Sequence, residues 1–258
     1  MTTGSVTRRT AIRLMVGLLG VATASVRAGQ TMAAQEASPV ASPGADGSLV
    51  GQQVVIRLRT VKAGQDIDAL LAQIQEGFVP LVAAIPGLDF YFAAANAETR
   101  ALFSVGVFAD EAGVEESNRV AGEWVAANMT DVYEGDPAVH NGVIGVATSA
   151  PASDLLGKHV VLRLREPAPD TDVDEVMHLI GEGYVPLVEA IPGFVAYFGS
   201  AATEADDQAY ITVFDDQAGT EESTRVAGEW LTSNNYTFFT GDPTVAEGVI
   251  GAAAQPAE

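Results

Sequence analysis

The chain has 258 residues, no cysteine, and 34 acidic against 13 basic residues, for a formal net charge of −21. Without cysteine there is no disulfide framework, thiolate nucleophile, lipidated cysteine or sulfur-ligated metal, so each domain must hold itself together by core burial. The acidic field repels nucleic acid and anionic lipid, which excludes nucleic-acid binding.

Residues 1–34 read as an address. Thr7-Arg8-Arg9-Thr10-Ala11-Ile12 sets twin arginines ahead of an apolar run over 14–24, followed by small residues that suit cleavage. This predicts export through the twin-arginine route to the periplasm, cell surface or medium. The run is well short of the roughly 20 apolar residues of a membrane span, so no membrane association is expected after cleavage. Residues 35–48, QEASPVASPGADGS, lack apolar periodicity and predict a disordered linker.

Beyond it the sequence is written twice, at a constant offset of 106 positions and with about half the aligned positions identical. GQQVVIRLR at Gly51 returns as GKHVVLRLR at Gly157, and EESNRVAGEW at Glu115 as EESTRVAGEW at Glu221. Such a period exceeds the about 20–50 residues of a solenoid repeat and has the size of a small domain. The expected halves are 49–148 and 155–253, with a short linker at 149–154 that favours side-by-side docking and a tail at 254–258.

Within the first copy, residues 51–59 alternate as a strand, Val54, Ile56 and Leu58 on one face and Val55, Arg57 and Arg59 on the other. Asp66 or Asp68 then caps a helix along which Ile67, Leu70, Leu71, Ile74, Phe78, Leu81 and Ile85 keep helical spacing, and Pro80 predicts a bend near Gly77. Residues 88–95 and 102–108 read as antiparallel strands, and a second helix begins at Asp110 with a stripe of Ser117, Val120, Ala121, Trp124 and Val125. Gly135-Asp136-Pro137 reads as a turn before a last strand over 139–146. The order is β-α-β-β-α-β, the ferredoxin-like unit, and the second copy repeats it. The expected fold class is α+β, two tandem ferredoxin-like domains.

The run IPGFVAYFGS…ITVFDDQAGTEESTRVAGEW resembles the antibiotic-biosynthesis-monooxygenase branch of the dimeric α/β-barrel superfamily, with its proline-glycine-aromatic turn into strand two and its A-x-E-W helix. The resemblance covers both copies. It implies that the two halves form an intramolecular barrel, and hence a monomer where relatives dimerise. It also implies an alternative function, cofactor-independent oxygenation of polycyclic phenols in an apolar pocket. Haem-degrading relatives use an asparagine in strand one, a tryptophan ending strand three and a histidine in the second helix. Here strand one is VVIRLR, strand three ends in Phe108 or Phe214, and neither second helix holds a histidine, so no cofactor is expected.

The ligand-binding candidates are Arg57, Arg59 and Tyr91 in the first copy and Arg163, Arg165, Tyr197 and Tyr210 in the second. If Val54, Ile56 and Leu58 pack on the helices, the arginines point to the barrel side, where a lone guanidinium is costly. They then either clamp an anionic ligand or pair with carboxylates across the interface between halves, the preferred reading because buried charges are usually paired. The expected ligand is a small, partly apolar or anionic molecule between the sheets; the competing expectation is a filled barrel serving structure or protein interaction. Trp124 and Trp230 fit core positions, and Glu116 and Glu123 with Arg119 fit a salt-bridged helix face.

His140, His159 and His178 each occur in one copy only and lack metal-ligand spacing, so no metal site is expected and surface or satisfied roles suit them best. No nucleophile-elbow signature supports a Ser-His-Asp triad. Specific chemistry must come from where the copies differ, such as Ser104 against Tyr210 or Gly106 against Thr212.

Overall fold

The computed structural model describes residues 48–148, 155–203 and 207–254. The signal segment, the linker at 149–154, and all but one residue of both the first linker and the tail lie outside the described residues.

Eight strands rich in Val, Ile, Phe and Ala build the sheet. The first half supplies β1 (Gln53–Val61), β2 (Leu88–Ala95), β3 (Ala101–Phe108) and β4 (Tyr133–Ala147). The second supplies β5 (His159–Pro167), β6 (Phe194–Ala202), β7 (Gln208–Phe214) and β8 (Phe239–Ala254). They close into a barrel in the order β1-β3-β2-β8-β5-β7-β6-β4, every neighbouring pair antiparallel. The halves join reciprocally, because β4 ends alongside β6 and β8 ends alongside β2.

Helices cover the outside. Asp66 starts α1 (Ile67–Gln73) by accepting from the Ala69 amide at 3.1 Å, and Asp110 starts α3 (Glu111–Asn128) by accepting from Gly113 at 3.0 Å. Asp172 and Asp216 do the same for α4 (Val173–Leu179) and α6 (Gln217–Ser233). Pro80 and Pro186 begin α2 (Val79–Ala83) and α5 (Val185–Glu189). Lacking an amide hydrogen, each proline cannot bond one turn back, and the chain widens into π-helical turns at Ile74–Phe78 and Ile180–Tyr184. The bend expected near Gly77 takes this form. It turns Leu81 outward, 45% exposed, against its expected core position.

The expected turn at Gly135-Asp136-Pro137 is instead part of β4. Gly135 adopts φ 63°, and the β1–β4 register shifts between Leu58 and Thr60, as a bulge does when it bends a strand without ending it.

Two kinds of core follow from alternation along the strands. Val54, Ile56, Phe92, Phe103, Val105, Leu162, Phe198 and Ile211 belong to a cluster drawn from both halves and containing no helix residue: the barrel interior, filled with side chains. Val55, Tyr91, Phe108 and Trp124 join the α1–α3 side chains in a second cluster, and Tyr197, Tyr210, Phe214 and Trp230 join the helices of the other half in a third. This reverses the expected facing of strand one. Val54, Ile56 and Leu58 point into the barrel, and the arginine face lies beneath the helices.

Candidate functional site

Under α3, the outer face of the first half's sheet leaves a cavity of about 200 Å³. Phe78, Tyr91, Trp124 and Tyr133 give it aromatic walls, and Arg57, Arg59, Ser104 and Asn118 give it polar ones. Trp124 can lie against the π-helical turn because residue 77 is glycine; a methyl there would come within 3.1 Å of the indole.

Arg57 is 8% exposed. Its Nη2 donates to Ser117 Oγ at 3.2 Å and to Asn118 Oδ1 at 2.7 Å, both on α3. Its Nη1 is buried without a hydrogen-bond partner, and no carboxylate pairs with Arg57 among the described residues. Burial pulls the guanidinium down to about 10, with Tyr91 opposing and Arg59 assisting. Arg59 lies over the Tyr133 ring at 4.7 Å. Burial raises the phenols of Tyr91 and Tyr133, the latter to about 12, so both stay protonated donors at neutral pH. The preferred ion-pairing reading of these arginines is thus not what the described residues show: Arg57 is held by neutral oxygens and Arg59 by a ring.

The second half repeats the site, and there Arg163, Arg165, Tyr184, Tyr197, Tyr210 and Trp230 line a space of only about 40 Å³. Arg163 Nη2 donates to Ser223 Oγ at 3.2 Å and Thr224 Oγ1 at 2.6 Å, and Arg165 lies over Phe239 at 4.9 Å. All seven sequence candidates line one of these two cavities, three in the first and four in the second, and neither cavity brings the two sets together. The expected place between the sheets is occupied by the interior core. Sequence reasoning missed Asn118 and Tyr133, and it assigned Trp124 to the core alone, whereas the indole serves both core and cavity wall.

Two larger depressions, about 370 and 450 Å³, lie near His159 and Asp207. Neither is lined by a residue with an orphaned buried cation.

His140 Nε2 lies 2.9 Å from Ser200 Oγ and its Nδ1 3.0 Å from Asp207 Oδ2. This is the bond order of a hydrolytic triad. Ser200 is 1% exposed, mid-strand, and lines none of the four cavities, so no carbonyl carbon can approach Oγ. The line clasps β4 to β6 within the seam. Among the described residues no cluster of three or more His, Cys, Asp or Glu could hold a metal ion, and no helix is long and apolar enough to cross a membrane.

No protein-family model and no curated protein sequence matches the chain. Solved structures do. A candidate monooxygenase of Fusobacterium nucleatum is 12% identical at TM-score 0.63, the match covering 81% of this chain and 96% of that one. One of Lactobacillus acidophilus is 14% identical at TM-score 0.59, covering 80% and 96%. An anthrone oxidase-like protein is 13% identical at TM-score 0.55, covering 81% and 94%. At such identities the likeness is one of fold alone, a mixed α+β architecture that the chain shares with these three proteins.

Proposed function

We propose that the chain is an exported small-molecule-binding protein built by tandem duplication. Its two ferredoxin-like copies close within one chain the barrel that relatives make from two subunits, and it works as a monomer. The internal repeat, the equal order of elements in both halves and the reciprocal strand pairing support this reading. The ligand site is the cavity between sheet and helices, not the barrel interior. One observation carries this: Arg57, whose buried Nη1 has no hydrogen-bond partner, lines an aromatic-walled cavity. A buried guanidinium without a counter-charge is expensive, and an anion received there would offset that cost. Native mass spectrometry against a panel of aromatic acids and phenols tests it. A bound adduct that disappears in Arg57→Met supports the reading; a bare mass throughout overturns it.

A second reading, oxygenation of a bound hydroquinone without a cofactor, draws on the names of the structural neighbours and on the apolar, aromatic walls of the same cavity. There Arg57 would stabilise the substrate's phenolate. Oxygen uptake above the buffer background with hydroquinones supports it, and none sinks it.

A further inference from the structure

The two cavities occupy the same place in the two halves, yet they differ in volume and in how the buried arginine is held. Ser104 on β3 stands opposite Ala93, whereas its counterpart Tyr210 on β7 stands opposite Gly199. A methyl on Gly199 would lie 2.7 Å from Tyr210 Cδ1, so the glycine is what lets the ring lie flat. The Tyr210 hydroxyl donates to Gln208 Oε1, which fixes the ring. The plug is an arrangement of several residues, and it reduces about 200 Å³ to about 40 Å³.

The cations are served differently as well. Arg163 has no orphaned nitrogen among the described residues. In the first half Arg57 keeps its Nη1 unpartnered. Space and an unpartnered buried guanidinium nitrogen therefore coincide in one half, and among the described residues the other half has neither.

We infer that the chain carries a single working site, in which the first-half cavity takes an aromatic monoanion against Arg57 while Tyr210 fills the second. The inference rests on the small-molecule reading above and adds its stoichiometry and ligand class. The charge follows from one guanidinium with an unpartnered nitrogen, since Arg59 is engaged with Tyr133. The size follows from the volume: an apolar cavity of about 150 Å³ holds benzene, so this one suits one or two fused rings bearing a carboxylate or phenolate. Ser104 decides entry, because a tyrosine in its place would fill the space the rings need.

The test titrates the full chain calorimetrically with 2-naphthoate, using naphthalene-2-carboxamide as the neutral control. Wild-type protein should bind one equivalent of the acid, with the amide at least tenfold weaker. Ala93→Gly/Ser104→Tyr, which transfers the plug, should bind none, and Tyr210→Ser, which removes it from the second half, should bind two. Circular dichroism checks that each variant is folded. Two equivalents in the wild type, or one that survives the transferred plug, overturns the single-site inference and leaves the binding reading standing. Equal binding of acid and amide overturns the anion assignment, and failure to bind either removes both readings. Should the plugged variant not fold, anomalous scattering from 6-bromo-2-naphthoate in wild-type crystals decides: bromine beside Arg57 alone supports the inference, and bromine beside Arg163 overturns it.

Discussion

His140 Nε2 lies 2.9 Å from Ser200 Oγ, across the seam where the last strand of the first half meets the second half. With Asp207 these residues make a polar line inside one seam, and the equivalent positions in the other seam are all alanine: Ala246, Ala94 and Ala101. The barrel thus contains its own control for the energetics of the line. His140→Ala leaves a buried hydroxyl without its partner and opens a cavity, and should cost about 2–4 kcal/mol. The triple change His140→Ala/Ser200→Ala/Asp207→Ala recreates the other seam and should cost less than the single one, because losing every partner together avoids orphaned groups. Urea denaturation measures both. A triple variant worse than His140→Ala refutes the argument.

Asp207 carries the pH dependence of that seam. The hydrogen bond from His140 holds its carboxyl below the usual value, partly opposed by burial. A depressed native value means that the stabilisation is fully present above the unfolded carboxylate value, about 4, and is lost as pH falls through the lower native one. The gap in urea midpoint between wild type and Asp207→Asn should be open at pH 6 and close toward pH 3. A gap that widens in acid contradicts the assignment.

Arg57 sets binding against stability. Exchange for methionine removes an uncompensated buried charge, a change that is often neutral or favourable, but it strips Asn118 Oδ1 and Ser117 Oγ of their donor. The net change in unfolding free energy should stay within about 1 kcal/mol of zero. The rise in melting temperature that an aromatic acid gives the wild type should vanish. A variant that unfolds several degrees earlier would show that Arg57 serves the core.

Two helix-region glycines should respond in opposite ways to alanine. Gly228 on α6 has nothing within 4 Å of the place its Cβ would take, so Gly228→Ala should stabilise by up to about 1 kcal/mol. Gly77 faces Trp124 at 3.1 Å, and Gly77→Ala should cost about 1 kcal/mol or more and weaken binding by moving a cavity wall. Thermal melts of the pair, compared side by side, decide it.

Helix starts and strand positions were legible from the residues, because Asp66 and Asp110 cap locally and β-rich runs alternate locally. The facing of strand one was not. In β1 both faces are buried, Val54 and Ile56 in the barrel and Val55 under the helices, so alternation marks two surfaces without saying which is which. Gly135-Asp136-Pro137 misled because a bulge uses the same residues as a turn. The site was half legible: Arg57, Arg59 and Tyr91 stood out by type, while Asn118 and Tyr133 reach the cavity from elements distant in sequence. The one usable signal for the His140 line was the repeat itself, which sets each of its three polar residues against alanine. Ser104 against Tyr210 was visible in the same way, but its effect on cavity volume needed the Gly199 contact.

Reciprocal pairing at the two seams has a consequence for how the molecule comes apart. Either half alone would expose two unpaired sheet edges and half of a shared apolar interior, so neither has a folded state to retreat to when the other is disturbed. Heat should melt the barrel in one cooperative step, and damage at the plugged second half should cost the first half its ligand even though no side chain of the second reaches that cavity. The half without a working site remains indispensable as the other's missing wall.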